Sequence, residues 1–571
     1  MRSSLHPAGS GSVGWSGATI SEVLIDDRPI SGSVTFLTGD GRETIEWSSL
    51  RDDAIKWAGA LQGLGLEPGD RVALVGFSSR SFVTALQAVW HCGATVSVLP
   101  LPSRFVDLQL VAEGIGDRIG LLQPSVVIID PQLAPLLPDV AANTVVVDTD
   151  ALAAASKRTS KLDKPAADSA SLAVIQFTSG STGEQKMTMI SHRNVLANIG
   201  EITKAMELSP GRDIAMSWLP LYHDMGLFGF LTTLMLSGTD LVLASPEIFA
   251  GRPQAWMRWV SDFRASIIGA PNFAYSLATR TLRTGRYDLS CVRIAFNGAE
   301  SISPETVETF CSTASQYGFD PGAMFCVYGM AEATLAVTFP TPGRGMMTDY
   351  VDADKLEHHK SAVRVSSDTR RVRRLVFLGR PLPGLKMRIV DPDDRSELSE
   401  RRIGEVQIRG DAVTSGYLDR PDLTATSFDD GWFRTGDLGY MADGELVICG
   451  RLKDIIIVGG RNIAPEEVER TVGRLPGVRQ GNVIAFGVLG TERESVVVAL
   501  EAKAPSDDLH EVVAKRVRDD LGIRPHVVVL PPHTLPKTSS GKLQRQLARK
   551  LYLDGALVAD GVVGESTIGE K

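Results

Sequence analysis

The stretch that decides the fold is an apolar run followed by a loop of hydroxyls and glycines that ends in a lysine. It reads Leu172-Ala173-Val174-Ile175-Gln176-Phe177-Thr178-Ser179-Gly180-Ser181-Thr182-Gly183-Glu184-Gln185-Lys186. The apolar run predicts a buried strand, and glycines let the backbone N–H groups of the loop turn toward one point. The hydroxyls add donors and the lysine adds a positive charge, so the loop is a candidate polyphosphate site. Read alone, a loop of this kind after a strand is more often an ordinary surface turn.

Outward from this stretch, strands and helices alternate along the chain. Further β-rich runs are predicted at 71–75, 94–99, 125–130, 145–147, 240–243, 266–268 and 292–296. Helical segments separate most of them, such as 50–64, which carries Ala54, Trp57 and Leu61 on one face. This alternation predicts an α/β fold with parallel sheets covered on both faces and ligands at the strand ends.

Beyond about Asp391 the pattern changes to short strands with turns, such as 404–410 and 444–448. A helix is predicted at 509–521, ended by Gly522. We therefore predict a large N-terminal domain of parallel sheets with a smaller β subdomain, and a small mobile α/β C-terminal domain. The predicted bounds are a flexible Gly/Ser-rich segment at 1–20, the large domain at 21–452 and the small domain at 453–571.

Composition narrows the function classes. A net charge of −9 and a pI near 5.6 disfavour nucleic acid and anionic membranes as main partners. The five cysteines show no CxxC spacing, which favours reduced thiols over disulfides or a zinc site. Neither a signal peptide nor an apolar run of membrane-spanning length is evident, so we expect a cytoplasmic protein without stable membrane insertion.

Six motifs together resemble the adenylate-forming (acyl-activating) enzyme superfamily, over about residues 45–550. They are the loop 178–186, Asn297-Gly298-Ala299-Glu300, Tyr328-Gly329-Met330-Ala331-Glu332-Ala333, Trp432-Phe433-Arg434-Thr435-Gly436-Asp437-Leu438-Gly439, Gly450-Arg451-Leu452-Lys453-Asp454 and Pro536-Lys537-Thr538-Ser539-Ser540-Gly541-Lys542-Leu543. The resemblance implies ATP and Mg²⁺ as cofactors.

The resemblance also implies a role for each motif. ATP would be held by Thr178, Ser179, Gly180, Ser181, Thr182, Gly183, Lys186, Asn297, Gly298, Ala299, Glu300, Tyr328, Gly329, Met330, Ala331, Asp437 and Arg451. Metal ligation falls to Thr178 and Glu332, since Mg²⁺ prefers hard oxygen ligands. The implied catalytic residues are Lys542, Glu332 and His223, and the implied hinge is Lys453. Lys542 would offset the charge that develops when a carboxylate attacks the α-phosphate.

Each of these residues also has a structural interpretation. Asp437 suits an ordinary Thr-Gly-Asp turn, and Glu332 suits the start of a helix. Most lysines such as Lys542 are solvated, and a histidine such as His223 is often a core residue with its hydrogen bonds satisfied.

Three further stretches resemble fatty-acyl-AMP ligases within the superfamily: Ser217-Trp218-Leu219-Pro220-Leu221-Tyr222-His223-Asp224-Met225-Gly226-Leu227, Ala270-Pro271-Asn272-Phe273-Ala274-Tyr275 and Gly379-Arg380-Pro381-Leu382-Pro383-Gly384. This resemblance implies that a fatty acid is activated to fatty-acyl-AMP. The acyl group then passes to the phosphopantetheine thiol of an acyl carrier protein or of a polyketide or peptide synthase.

An apparent insertion at about 343–374 supports that subfamily. By resemblance it packs between the domains and limits rotation of the C-terminal domain, which disfavours transfer to coenzyme A. Its basic end would also suit an acidic carrier protein; the arginines are Arg364, Arg370, Arg371, Arg373 and Arg374. The alternative is a solvated surface excursion.

Two other functions stay open. A fatty-acyl-CoA ligase would carry the same main motifs. An inactive nucleotide-binding partner of a synthase is suggested by Gln185-Lys186-Met187-Thr188, which stands where the family usually has Pro-Lys-Gly.

Overall fold

The structure is a computed structural model. It describes residues 17–25, 31–39, 41–101, 108–158, 162–163, 167–179, 185–282, 285–458, 461–489, 494–502, 508–537 and 542–557. The fold is mixed α/β with parallel sheets, as the alternation predicted.

The opening stretch lies in a sheet that has six strands within the described ranges. In spatial order they are Val145–Asp148, Val126–Ile129, Arg71–Val75, Thr95–Val98, Leu172–Ser179 and Gln185–Ser191. Neighbours are parallel except for the last pair, which is antiparallel. The apolar runs form strands because both faces of the sheet are covered by packed side chains.

A second sheet has seven strands among the residues described. In spatial order they are Met324–Cys326, Ile294–Asn297, Ile267–Ala270, Ile214–Ser217, Asp240–Ala244, Ser33–Leu37 and Arg42–Glu46. Only the last pair of this described set is antiparallel. Apolar residues of both sheets, including Val96 and Val242, belong to one core that also buries Trp47 and Trp90.

Helices cover the two sheets and continue into the later parts of the chain. Their bounds are Ile20–Ile25, Trp47–Gly63, Arg80–His91, Leu108–Leu122, Thr149–Ser156, His192–Ala205, Thr233–Ser237, Pro246–Gly251, Ala255–Asp262, Asn272–Thr281, Pro304–Ala314, Ala353–His359, Pro421–Ser427, Pro465–Gly473, Leu509–Leu521 and Arg545–Leu553. A π-helix at Met225–Thr232 precedes the helix Thr233–Ser237.

Short antiparallel strands follow the second sheet. One group pairs Tyr328–Gly329, Ala336–Phe339 and Arg380–Pro381. Another group pairs Leu385–Val390, Gly404–Gly410, Phe428–Asp429, Trp432–Ala442 and Glu445–Arg451. The second group contains the β-rich region that the sequence predicted after Asp391, and it begins earlier, at Leu385.

The C-terminal segment has its own core and two sheets among its described residues, one of two strands and one of three. Its strands are Ile456–Val458, Arg461–Ile463, Val478–Leu489, Glu494–Ala502 and His526–Leu530. Val468, Val498, Val513 and Val517 are buried together there. The predicted helix 509–521 is confirmed, and Gly522 ends it with a φ of +68° that favours glycine. The division at residue 453 stays a prediction.

The insertion folds as a hairpin with a short helix. Strands Thr348–Asp352 and Val372–Val376 pair antiparallel, and the helix Ala353–His359 follows the first strand. Asp349 is buried, and it accepts hydrogen bonds from Arg364, Arg401 and Tyr440. The insertion is therefore an ordered, anchored unit and not a solvated excursion.

The predicted flexible segment 1–20 needs a correction at its end, while residues 1–16 lie outside the described residues. Thr19 and Ile20 are buried, and the backbone N–H of Ile20 donates to Nδ1 of His192 at 3.3 Å. Ile20 is held because its apolar side chain joins the main core. Across the described parts of the chain, no helix combines the length and apolarity needed to cross a membrane.

Candidate active site

One large cavity of about 2320 Å³ brings the predicted motifs together. Residues from the strand ends, the β-rich region and the C-terminal segment line it, among them Thr178, His223, Glu332, Asp437 and Lys542. Ligands are expected at such strand ends in α/β folds. The motifs that the sequence identified separately thus share one space.

Thr178 and Lys186 lie on two paired antiparallel strands. Strand Leu172–Ser179 pairs with Gln185–Ser191, so Thr178 lies directly opposite Lys186. The hydroxyl oxygen of Thr178 is buried and has no hydrogen-bond partner among the described residues. The predicted ligands Gly180, Ser181, Thr182 and Gly183, and the side chain of Ser179, lie outside the described residues.

Asp437 and Arg451 form a polar pair at one wall of the cavity. They are cross-strand neighbours, and Nε of Arg451 donates to Asp437 Oδ1 at 3.0 Å. The hydroxyl of Tyr328 donates to Asp437 Oδ2 at 2.6 Å. Both carboxylate oxygens already have donors, which fixes the carboxylate in one orientation. The pairing of Asp437 with Arg451 is the arrangement that the motifs predicted.

Glu332 is held by a tyrosine that sequence reasoning missed. The hydroxyl of Tyr417 donates to Glu332 Oε1 at 2.8 Å, and Nζ of Lys186 lies 4.8 Å from the centre of the Tyr417 ring. Burial lowers the pKa of Lys186, while the nearby Glu332 carboxylate opposes that effect. The residues Gly416-Tyr417 carry no local signal for this role, because the contact spans 85 positions.

The residues 297–300 make mainly structural contacts. Nδ2 of Asn297 donates to Asn272 Oδ1 at 3.3 Å, and Glu300 Oε1 accepts from the backbone N–H of Phe273 at 2.7 Å. A Cβ at Gly298 would lie 2.8 Å from Val327 Cγ2, so glycine allows the close approach. Ala299 lines the cavity. Asn297 and Glu300 thus position the first turn of helix Asn272–Thr281, and their predicted contact with the nucleotide stays a prediction.

The other predicted residues of the Tyr328 motif lie in a tight turn. A Cβ at Gly329 would lie 2.2 Å from the carbonyl oxygen of Leu335, which excludes larger residues. Met330 and Ala331 line the cavity beside it. Lys453 also lines the cavity and adds positive charge near Lys186. Its hinge role stays a prediction.

Lys542 reaches the cavity from the C-terminal segment. Its Nζ lies 3.3 Å from His223 Nε2. Burial lowers the pKa of Lys542, while the carboxylates of Asp224 and Glu300 oppose the shift. The structure therefore brings together Lys542 and His223, which sequence reasoning assigned separately to catalysis.

Part of the cavity lining is apolar, and we call this part the apolar arm. It comprises Gly229 and Phe230 of the π-helix Met225–Thr232 together with Leu335 and Phe339. Two threonines stabilise the wide turns, since Thr232 Oγ1 donates to the carbonyl of Leu227 and Thr233 Oγ1 to that of Phe228. π-Helical turns occur frequently at functional sites.

The insertion contacts the C-terminal segment. Glu357, on its short helix, is buried and accepts from Arg371 at 3.1 Å and from Arg461 at 2.8 Å. Arg373 lies 3.5 Å from Glu467 in a buried pair.

Four of the five arginines that the sequence suggested for carrier binding form ion pairs within the chain. Arg364 pairs with Asp349, Arg371 with Glu357, Arg373 with Glu467 and Arg374 with Glu308. These side chains are committed to carboxylates of the same chain, because each arginine lies against an acidic neighbour of the fold. A carrier would meet little of this charge.

Comparison with known proteins identifies the family. The match to the AMP-binding enzyme family extends over residues 28–418, more than half of the chain. The chain belongs to this family. The resemblance that the six motifs indicated is thereby confirmed.

Two relatives of this AMP-binding enzyme match most of its length. It is 31% identical over 568 residues to a long-chain-fatty-acid–AMP ligase of Mycobacterium marinum, covering 92% of this chain and 95% of that protein. It is 35% identical over 417 residues to a medium-chain-fatty-acid–[acyl-carrier-protein] ligase of Moorena producens, covering 70% of each.

A solved structure has the same fold. It comes from studies of fatty acyl-adenylate ligases from E. coli and L. pneumophila, and it superposes with a TM-score of 0.86 at 32% identity. The match covers 95% of this chain and 98% of that chain. The predicted fold class of this AMP-binding enzyme is therefore confirmed.

Proposed function

We propose that this enzyme activates a fatty acid with ATP to form fatty-acyl-AMP and pyrophosphate. It then passes the acyl group to the phosphopantetheine thiol of a carrier protein or synthase. One observation carries the first half of the proposal: Nζ of Lys542 lies 3.3 Å from Nε2 of His223 in a cavity that apolar residues, Asp437 and Arg451 also line. The names of the two relatives support the same chemistry.

The residues of the cavity suit ATP and Mg²⁺. Asp437 offers a fixed carboxylate for ribose hydroxyls, and Lys186 offers a cation opposite Thr178. Glu332 and the buried hydroxyl of Thr178, which has no hydrogen-bond partner within the described parts of the chain, would provide hard oxygen donors for the metal. Bound there, Mg²⁺ would neutralise charge on the phosphates.

The chain's residues then promote an in-line displacement. The apolar arm binds the acyl chain and leaves its carboxylate beside His223. A carboxylate oxygen forms a bond to the α-phosphorus while the bond from that phosphorus to the bridging oxygen breaks, and pyrophosphate leaves with the electron pair. Lys542 neutralises charge on the attacking and phosphoryl oxygens. Rotation about Lys453 would later withdraw Lys542 and admit the thiol.

The insertion contacts favour a carrier over coenzyme A as acceptor. Glu357 and Arg373 tie the insertion to Arg461 and Glu467 of the C-terminal segment. Such ties would limit rotation of the C-terminal segment, which the resemblance to fatty-acyl-AMP ligases links to poor transfer to coenzyme A. The fatty-acyl-CoA ligase remains the second candidate because its first half-reaction uses the same residues.

The experiment that tests the proposal measures products by mass spectrometry. The enzyme is incubated with fatty acids of different lengths and ATP, alone, with coenzyme A, or with a holo-carrier protein. We expect acyl-adenylate in every mixture and acyl transfer with the carrier. Efficient acyl-CoA formation would support the second candidate, and no pyrophosphate release with any acid would support an inactive nucleotide-binding partner.

Glu357→Gln is expected to weaken the contact between the insertion and the C-terminal segment. The variant leaves Arg371 and Arg461 without their buried carboxylate, at a cost of about 3 kcal/mol in the free energy of unfolding. Acyl-CoA formation should rise about fivefold while pyrophosphate release changes less than about twofold. Steady-state rates with coenzyme A measure this, and thermal unfolding measures the stability loss.

Glu308→Gln is the matched control, because Glu308 pairs with the insertion residue Arg374 from helix Pro304–Ala314 of the N-terminal part. Equal acyl-CoA formation by both variants would contradict a specific role for the contact with Arg461.

Gly229→Leu is expected to narrow the apolar arm. A Cβ at Gly229 would lie 2.9 Å from Cδ2 of Leu335. Because Gly229 and Leu335 both line the cavity, a leucine side chain at position 229 would take up part of its volume. We expect kcat/KM for long acids to fall about tenfold relative to short acids. Competition between a long and a short fatty acid measures the ratio, and an unchanged ratio would exclude this arm as the acyl site.

A further inference from the structure

Asp224 links the π-helix to His223 and, through it, to Lys542. Its Oδ1 lies 2.5 Å from Nδ1 of His223 and accepts from the backbone N–H of Met225 at 2.7 Å. The Asp224 side chain is 10% exposed. The opposite ring nitrogen, Nε2 of His223, faces Nζ of Lys542 at 3.3 Å. Asp224, His223 and Lys542 therefore form a continuous row.

The chemistry of the row determines the tautomer of His223. An ionised carboxylate only accepts hydrogen bonds, so the hydrogen of neutral His223 lies on Nδ1. Nε2 then carries a lone pair, which accepts from the ammonium group of Lys542. The opposite tautomer would turn an N–H toward that ammonium and repel it. The Asp224 carboxylate also lies near enough to oppose the effect of burial on the pKa of Lys542.

We propose that Asp224 is a positioning residue for the adenylation step, which holds His223 in the Nδ1–H tautomer so that Nε2 receives Lys542. The inference rests on the proposed function. It assigns Asp224 a role in the first half-reaction only, because Lys542 serves the attack on the α-phosphate. Transfer of an already formed acyl group to a thiol should not need the row.

A purely structural role is the alternative, because Asp224 also caps the π-helix through Met225. Two substitutions separate the contributions. Asp224→Asn can keep one oxygen that accepts from both Met225 and His223, and it removes only the charge. Asp224→Ala removes both the acceptor and the charge.

The experiment compares both variants with His223→Gln and with the double variant Asp224→Ala/His223→Gln. We expect fatty-acid-dependent pyrophosphate release to fall about 100-fold in Asp224→Ala and less than about tenfold in Asp224→Asn. In the His223→Gln background, Asp224→Ala should add less than about threefold, since it acts through the ring. Transfer from supplied acyl-adenylate to the carrier should change less than about twofold in Asp224→Ala.

A second readout does not depend on activity. In protein labelled with ¹⁵N at its nine histidines, the signal absent from His223→Gln identifies the ring. We expect a protonated Nδ1 in the parent protein and a mixture of tautomers in Asp224→Ala.

Several results would overturn the inference: parent-like pyrophosphate release by Asp224→Ala, additive losses in the double variant, equal losses in both half-reactions, or an Nε2–H ring in the parent. Absence of pyrophosphate release by the parent would instead overturn the proposed function. The tautomer of His223 would still show whether Asp224 orients the ring toward Lys542.

Discussion

Lys542→Ala is expected to lower fatty-acid-dependent pyrophosphate release by about 10²–10³-fold, which corresponds to about 3–4 kcal/mol of transition-state stabilisation. The physical reason is the repulsion between an attacking carboxylate and the phosphate oxygens. Lys542 brings a partly buried cation into the cavity that the apolar arm, Asp437 and Arg451 also line. Single-turnover measurement of acyl-adenylate formation tests the expectation directly.

Lys550→Ala is the matched control for this prediction. Lys550 lies in the helix Arg545–Leu553 that follows Lys542, and it is exposed. Its substitution should leave the rate unchanged. If Lys542→Ala formed adenylate as fast as the parent, the assignment of that lysine would be wrong. Transfer from supplied acyl-adenylate should persist in Lys542→Ala, because the thiol step does not use the ammonium group.

Glu332→Gln is expected to lower the adenylation rate by about 100-fold and to raise the Mg²⁺ concentration needed for half-maximal rate. The amide oxygen still accepts from the Tyr417 hydroxyl, so the side chain keeps its place. Only the charge is lost, and with it the attraction for the metal. Titration of the rate with Mg²⁺ at fixed ATP measures the effect.

Glu113→Gln controls for the loss of one negative charge, because Glu113 is exposed on the helix Leu108–Leu122. An unchanged Mg²⁺ dependence in Glu332→Gln would remove Glu332 from the metal site. A drop in thermal stability with unchanged Mg²⁺ dependence would assign it to structure alone.

Much of the fold follows from local patterns in the sequence. The runs at 71–75 and 404–410 form strands at those bounds, and leucine and valine at spacing four formed the helix 509–521. The π-helix 225–232 was not predicted, because its widened turns depart from the 3.6-residue period. The buried end of the segment 1–20 was missed as well, since Ile20 is held by His192, which is distant in sequence.

The candidate active site also has features that the sequence predicted and features that it could not predict. Motif spacing predicted that Asp437 and Arg451 act together, and strand pairing places them opposite each other. It could not predict that Tyr328 donates to Asp437 or Tyr417 to Glu332, because those contacts span 109 and 85 positions. Nor could it predict that arginines of the insertion already have acidic partners within the chain.

The sequence by itself determined the α/β class, the family and the identity of the chemical groups. Short-range periodicity, turn residues and motif residues encode these features within a few positions. Only the tertiary structure decided that Thr178 and Lys186 lie opposite each other on paired antiparallel strands, and that Lys542 contacts His223 across 319 positions. Such contacts depend on how distant elements pack, because the alignment of two side chains is set by every layer between them and not by their neighbours in the chain.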